Sequence, residues 1–273
     1  LKSDVSEPTL ITRDQQGIPQ INAENRLDVG YALGYLHGQE RFFQMDLLRR
    51  NSAGELSELF GSLALNHDKK IRVHQFRKRV NKFVTLLPKR HKDILVSYTQ
   101  GVNQGLSDLN NVPFEYLLLN TQPQPWLPQD SMLVLYSIYV DLQDEYGQRE
   151  RTLGALNDLL STEHYNFINP NGSQWDSAID GSVYAPSPIP KLALNLTQNE
   201  ISKFDGQYDE QTFSIFPKKT EAVIGSNNWA IAGSISSNGK AIVADDMHLG
   251  ISVPNIWYRA SFRYKDNGAT QAL

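Results

Sequence analysis

Between Leu27 and Leu48 the apolar side chains Leu27, Tyr31, Leu33, Tyr35, Leu36, Phe42, Phe43, Met45, Leu47 and Leu48 keep helical spacing. A stripe sustained over six turns predicts a long, largely buried helix. Asn25, with Asp28 three residues on, supplies its N-cap. With 273 residues, the chain is long enough to bury one large core or two smaller ones around it.

The flanking segments are short. Residues 9–23 read as a small hairpin with its turn at Gln15-Gln16-Gly17. Gly54 breaks the long helix, and a second follows through Leu56, Leu59 and Phe60. Further helices are expected at 91–109 and 130–161, separated by the breaker Pro123-Gln124-Pro125-Trp126-Leu127-Pro128. Residues 67–92 hold ten Lys/Arg against the single acid Asp68. Because Val73, Phe76, Val80, Phe83 and Val84 supply an apolar stripe there, the basic run reads as a solvated helix face rather than an anion or membrane-surface patch. Residues 1–168 are therefore a mostly helical region. After them, 169–220 turn rich in Asn, Ser, Pro, Gln and Asp without sustained period, which predicts a long loop or processing linker.

Composition excludes several functions. A net charge of −4 offers no basic excess for a nucleic acid. The longest apolar run, Met132 to Val140, is far short of the roughly 20 residues that span a bilayer. Without cysteine there is no disulfide, thiolate metal site or thiol nucleophile, so any nucleophile is an oxygen or an amine. The opening Leu1-Lys2, without Met, is read as a mature start after leader removal, so export to the periplasm or outside the cell is expected.

The chemistry is expected near residue 225. Gly225-Ser226-Asn227-Asn228 leads into Trp229-Ala230-Ile231-Ala232, then Asn238-Gly239, then Lys240-Ala241-Ile242-Val243-Ala244, a β-hairpin pattern. A two-residue turn at Asn238-Gly239 sets Trp229 opposite His248 and Ser226 opposite Ile251. Ser226 and His248 then share one end of the hairpin, and a serine beside a histidine is the minimum for nucleophilic acyl transfer. Asp245 and Asp246 are expected to cap the strand end or sit in a turn rather than orient the imidazole. His37, on the long helix, is expected to be a satisfied core histidine. Trp257 to Tyr264 alternates as a strand, and Asp266-Asn267-Gly268 signals a turn toward a partner that residue 273 cuts off, so the chain reads as truncated.

Two ordered stretches resemble a known family. Gly225-Ser226-Asn227-Asn228-Trp229-Ala230-Ile231, Asp246-Met247-His248-Leu249-Gly250 and Pro254-Asn255-Ile256-Trp257-Tyr258 resemble the start of the β-subunit in the penicillin acylase family of N-terminal-nucleophile hydrolases. Arg13-Asp14-Gln15-Gln16-Gly17-Ile18-Pro19, Ala32 through Arg41, Leu47-Leu48-Arg49-Arg50 and Gly54 through Gly61 are similar to the opening of its α-subunit.

The resemblance implies an α+β fold: an αββα sandwich only begun here, with a mostly helical α-subunit region at 1–168, an α-subunit end, linker or spacer at 169–225, and a β-subunit starting at 226–273. It implies autocatalytic cleavage between Gly225 and Ser226. The freed α-amine of Ser226, with a reference pKa near 7.7–8.0, then serves as general base to its own hydroxyl, and His248 orients or polarises that pair. The implied reaction is hydrolysis of a small-molecule, non-peptide amide: a β-lactam side chain or, alternatively, an N-acyl-homoserine lactone or lipopeptide acyl amide. The implied assembly is an α/β heterodimer from one precursor. No catalytic cofactor is implied, but one structural calcium is, with Glu145 as its ligand by position. Oxyanion donors lie further along the family's β-subunit and are not assigned. A reading of a different class is an inert binding or scaffolding fragment that keeps the motifs for folding.

Overall fold

The computed structural model describes residues 5–143, 147–193, 225–249, 253–266 and 269–272. They form two compact units, one of residues 1–142 with 250–273 and one of residues 143–249.

The first unit opens with strands β1 (Leu10–Arg13) and β2 (Pro19–Asn22), paired antiparallel as the sequence predicts. Gly17 takes φ +78° in the turn, and the Asp14 carboxylate accepts from the amides of Gln16 and Ile18. Helix α1 (Arg26–Glu40) starts where Asn25 accepts from the amides of Leu27 and Asp28. The expected single helix divides in two. At Arg41 the backbone leaves helical geometry, with φ −135° and ψ 8°, and α2 (Phe42–Ala53) follows, ended by Gly54 in the left-handed region. A side-chain stripe carries across such a break because both halves remain against the core.

Short helix α3 (Ser57–Phe60) and a 3-10 turn lead to α4 (Leu65–Arg72) and α5 (Phe76–Leu86). The expected stripe of the basic segment is partly revised: Phe76, Val80 and Val84 are buried, while Val73 and Phe83 are exposed. Val73 lies past the end of α4, and Phe83 falls off the buried i, i+4, i+8 row. Arg77 leaves the solvated face to bind Glu55 and Asp130.

Helix α6 (Lys89–Ser107) packs along α1. Gly34 and Gly38 lie against the carbonyls of Tyr98 and Val102, while Gly101 and Gly105 lie against those of Tyr31 and Tyr35. A Cβ at any of the four would overlap backbone, so the two helices meet main chain to main chain only because these positions are glycine. Helices α7 (Phe114–Leu118) and α8 (Asp130–Asp141) complete the helical part of this unit. The expected helix at 130–161 is interrupted: α9 (Gln148–Leu159) restarts after Gly147 at φ +57°, and α10 (Thr162–Ile168) follows, both in the second unit. Residues 169–193 contain neither helix nor strand; the rest of the expected linker, 194–224, lies outside the described residues.

A buried ionic network joins α2 to α8. Asp46 accepts from Arg49 at 2.6 Å, Arg50 at 2.9 Å and the Tyr116 hydroxyl at 2.7 Å. Asp130 takes Arg49 and Arg77, each at 2.5 Å. Asp46 and Asp130 are 0% and 1% exposed, so these charges are held where only mutual pairing tolerates them.

Strands β3 (Gly225–Ile231) and β4 (Ile242–His248) form a two-stranded antiparallel sheet in the second unit. Strands β5 (Ser261–Asp266) and β6 (Ala269–Ala272) return to the first, in a four-stranded sheet of order β1-β2-β5-β6. Two expectations are corrected here. The strand begins at Ser261 rather than Trp257, and it does not lack a partner: β6 pairs with it antiparallel on one side and β2 parallel on the other. The second strand, Ala-Thr-Gln-Ala, is exposed and carries no alternating apolar signal, which is why pattern alone missed it. Tyr264 packs with Ile21, Val29, Ala32 and Leu36 in the core under this sheet.

Candidate active site

The β3–β4 ladder fixes the geometry at Ser226. Gly225 pairs with His248, Ser226 with Met247, Asn227 with Asp246 and Asn228 with Asp245. This corrects the register expected from a two-residue turn. The strands are joined instead by residues 232–241, which hold a 3-10 turn at Gly233–Ile235 and a turn closed by the Gly239 amide on the Ser236 carbonyl at 3.2 Å. Asn238 braces that connection by accepting from the Lys240 amide at 3.0 Å, and Gly239 takes φ +70°. Asn-Gly thus marks the turn, but a longer loop shifts the pairing.

Strand pleating then sorts the side chains. Residues directly opposite share a face and successive residues alternate, so Asn227, Asp246 and His248 lie on one face, whereas Ser226 and Met247 lie on the other. His248 Nε2 is 3.0 Å from Asp246 Oδ2 and 3.2 Å from Asn227 Nδ2. Asp246 therefore does hold the imidazole, contrary to the strand-cap expectation. The signal was available: residues i and i+2 of one strand share a face. Asp245, one residue earlier in β4, faces the opposite way.

His37 occupies a different environment, in the first unit. Its Nδ1 is 2.8 Å from the Tyr98 hydroxyl, its ring meets Tyr98 and Tyr258 edge-on, and its buried Nε2 has no partner among the described residues. Burial pushes its pKa down to about 4, so the imidazole is neutral. It is a core histidine satisfied on one nitrogen only. It lines a cavity of about 760 Å³ with apolar walls that include Leu33, Met45, Ile94 and Trp257.

Residues from both ends of the chain meet at the end of α1. Glu40 binds Arg13 and accepts from the Tyr258 hydroxyl at 2.8 Å; Arg41 donates to the Asn255 carbonyl at 2.8 Å and lies over the Tyr258 ring. Burial and the adjacent Glu40 raise the Tyr258 pKa, so the phenol stays protonated. Glu145, the expected calcium ligand, lies outside the described residues. Among the described residues no group of three or more His, Asp or Glu could hold a metal.

The sequence model of the family described as Penicillin amidase matches residues 8–270. The chain belongs to the penicillin amidase family. It is 30% identical to a penicillin acylase 2 proenzyme of Pseudomonas sp. over 254 residues, 93% of this chain and 32% of that protein. It is 26% identical to the acyl-homoserine lactone acylase QuiP of Pseudomonas aeruginosa over 258 residues, 93% of this chain and 29% of that one. The chain thus spans about a third of the length of these curated relatives. Among solved structures, a thermostable penicillin G acylase from Alcaligenes faecalis matches with a TM-score of 0.50 at 21% identity, covering 68% of this chain and 98% of that one. The α+β fold is therefore that of a penicillin amidase. The family motifs also acquire physical reasons: Arg13, Glu40, Arg41, Asn255 and Tyr258 form one cluster, while Arg49 and Arg50 carry the buried ionic network.

Proposed function

We propose that this chain is the front part of an exported amidohydrolase precursor: an α-part at 1–168, a linker or spacer at 169–225 and the start of a β-part at Ser226. The observation that carries the reading is the pairing of Gly225-Ser226 with Met247-His248 at one end of a single hairpin. Membership of the penicillin amidase family supports it, as do relatives whose names are penicillin acylase and acyl-homoserine lactone acylase.

In this reading Ser226 Oγ attacks the Gly225 carbonyl. The C–N bond to Ser226 breaks as the C–O bond forms, the nitrogen gains the hydroxyl proton, and water hydrolyses the ester to leave two chains. Glycine before the serine lets the backbone enter the crowded geometry of that attack without a Cβ clash. Ser226 is then the first residue of its strand. Freed of the preceding peptide, it turns about its own backbone bonds and brings hydroxyl and amine toward the His248 face. For a substrate amide, the α-amine takes the Oγ proton as Oγ attacks, the proton passes to the leaving amine, and water releases the acid.

The substrate class is a small linear amide, a β-lactam side chain or, on the second relative's name, an N-acyl-homoserine lactone. Intact mass of the full-length product tests cleavage before Ser226, and hydrolysis of penicillin G against an N-acyl-homoserine lactone series tests the substrate. A single uncut chain with no amide turnover would leave the scaffolding reading in its place.

A further inference from the structure

Two groups compete for one nitrogen of His248. A carboxylate only accepts, so the contact of Asp246 Oδ2 at 3.0 Å requires a proton on Nε2. An amide NH2 only donates, so the contact of Asn227 Nδ2 at 3.2 Å requires the same nitrogen bare. Hydrogen bonds to ionised acceptors are about twice as strong as neutral ones, and a carboxylate facing an imidazole lone pair is repelled. The charged contact therefore sets the tautomer, and Asn227 meets the Nε2–H with its carbonyl oxygen after its amide turns over.

We propose that Asp246 is a positioning residue for His248: it holds the proton on Nε2 and leaves Nδ1 bare, so that Nδ1 is the nitrogen offered to the N-terminal serine. This rests on the reading of Ser226 as the nucleophile. The arrangement needs only the hairpin, because Asp246 and His248 are two apart on β4 and Asn227 stands directly across from Asp246. Both partners of the pair are half exposed, at 43% and 55%, so the contact adds little to stability. Its effect is on which nitrogen works.

The test uses the full-length protein, with penicillin G and an N-acyl-homoserine lactone series as probes. Asp246→Asn is expected to lower kcat by about 10- to 100-fold with KM unchanged, the scale on which loss of a group orienting a working histidine is felt. Asp246→Glu restores part of the loss, and in a His248→Ala background Asp246→Asn has no further effect. Nitrogen-15 NMR of the labelled histidine, which needs no turnover, is expected to show the Nε2–H tautomer in the parent and its loss in Asp246→Asn. An unchanged kcat, an additive loss in the double variant, or an unchanged tautomer overturns the proposal. Full hydrolysis by Ser226→Ala overturns the nucleophile reading instead, while the NMR result still decides what Asp246 does to the ring.

Discussion

Gly225 stands directly across from His248 in the β3–β4 ladder, which puts Ser226 opposite Met247 and on the other face of the hairpin. In the uncut chain the histidine therefore faces the residue that would be cleaved from the serine. On the proposed reading, cleavage and turnover make different demands on Ser226 and His248, so mutation can separate the two steps.

Ser226→Ala in the full-length gene is expected to give a single uncut chain by intact mass, because the proposed attack on Gly225 needs the hydroxyl. Ser226→Cys is expected to cut and then turn over slowly, since a thiolate attacks readily but the site suits oxygen. Two chains from Ser226→Ala would rule out self-cleavage by this residue.

His248→Asn is expected to lower kcat on the preferred amide by roughly 10² or more, the usual scale for an acid–base group, with little change in thermal midpoint. The small stability effect follows from its exposure at the end of the hairpin. Near-normal kcat would mean that the amine of Ser226 suffices.

Gly34→Ala or Gly105→Ala is expected to destabilise the protein by about 1–3 kcal/mol or more in urea unfolding, because the new methyl group overlaps the Tyr98 or Tyr35 carbonyl and forces α1 and α6 apart. Gly154→Ala is the control. It sits in α9 with nothing within 4 Å of the added Cβ, so it is expected to be neutral or to stabilise by up to about 1 kcal/mol.

Asp46→Ala is expected to cost about 3–5 kcal/mol, since it takes the shared carboxylate from two buried arginines and a tyrosine hydroxyl, leaving Arg49 to Asp130 and Arg50 to Glu58. A loss below 1 kcal/mol would show that water reaches the network.

His37 makes stability depend on pH. Its pKa is held at about 4 in the folded state against about 6.5 unfolded. Below 6.5 the unfolded chain takes up a proton that the folded chain refuses, so this residue lowers stability as pH falls from 6.5 to 4. The full effect below 4 is about 3 kcal/mol at most. His37→Gln is expected to flatten that part of the pH–stability curve relative to the parent; parallel curves would show that the imidazole protonates in place.

The sequence by itself determined the local pieces: the first hairpin from its Gly turn, the cap at Asn25, the stop at Gly54, the start of α6, and a second hairpin around Asn238-Gly239. Each depends on backbone preferences and apolar period within a few residues. The motifs also pointed to the family, because those residues stand in order along the chain. Tertiary structure decided the rest. The α1–α6 contact depends on glycines at 34 and 38 meeting glycines at 101 and 105, a spacing visible in the sequence but meaningful only once the two helices are paired. β6 exists because β5 offers it an edge, and the break at Arg41 interrupts an apolar stripe that continues on both sides of it. The hairpin register was decided by a connection of ten residues instead of two. Because that shift is of four residues, an even number, it leaves Ser226 and His248 on opposite faces, moves His248 from across Trp229 to across Gly225, and brings Asn227 opposite Asp246.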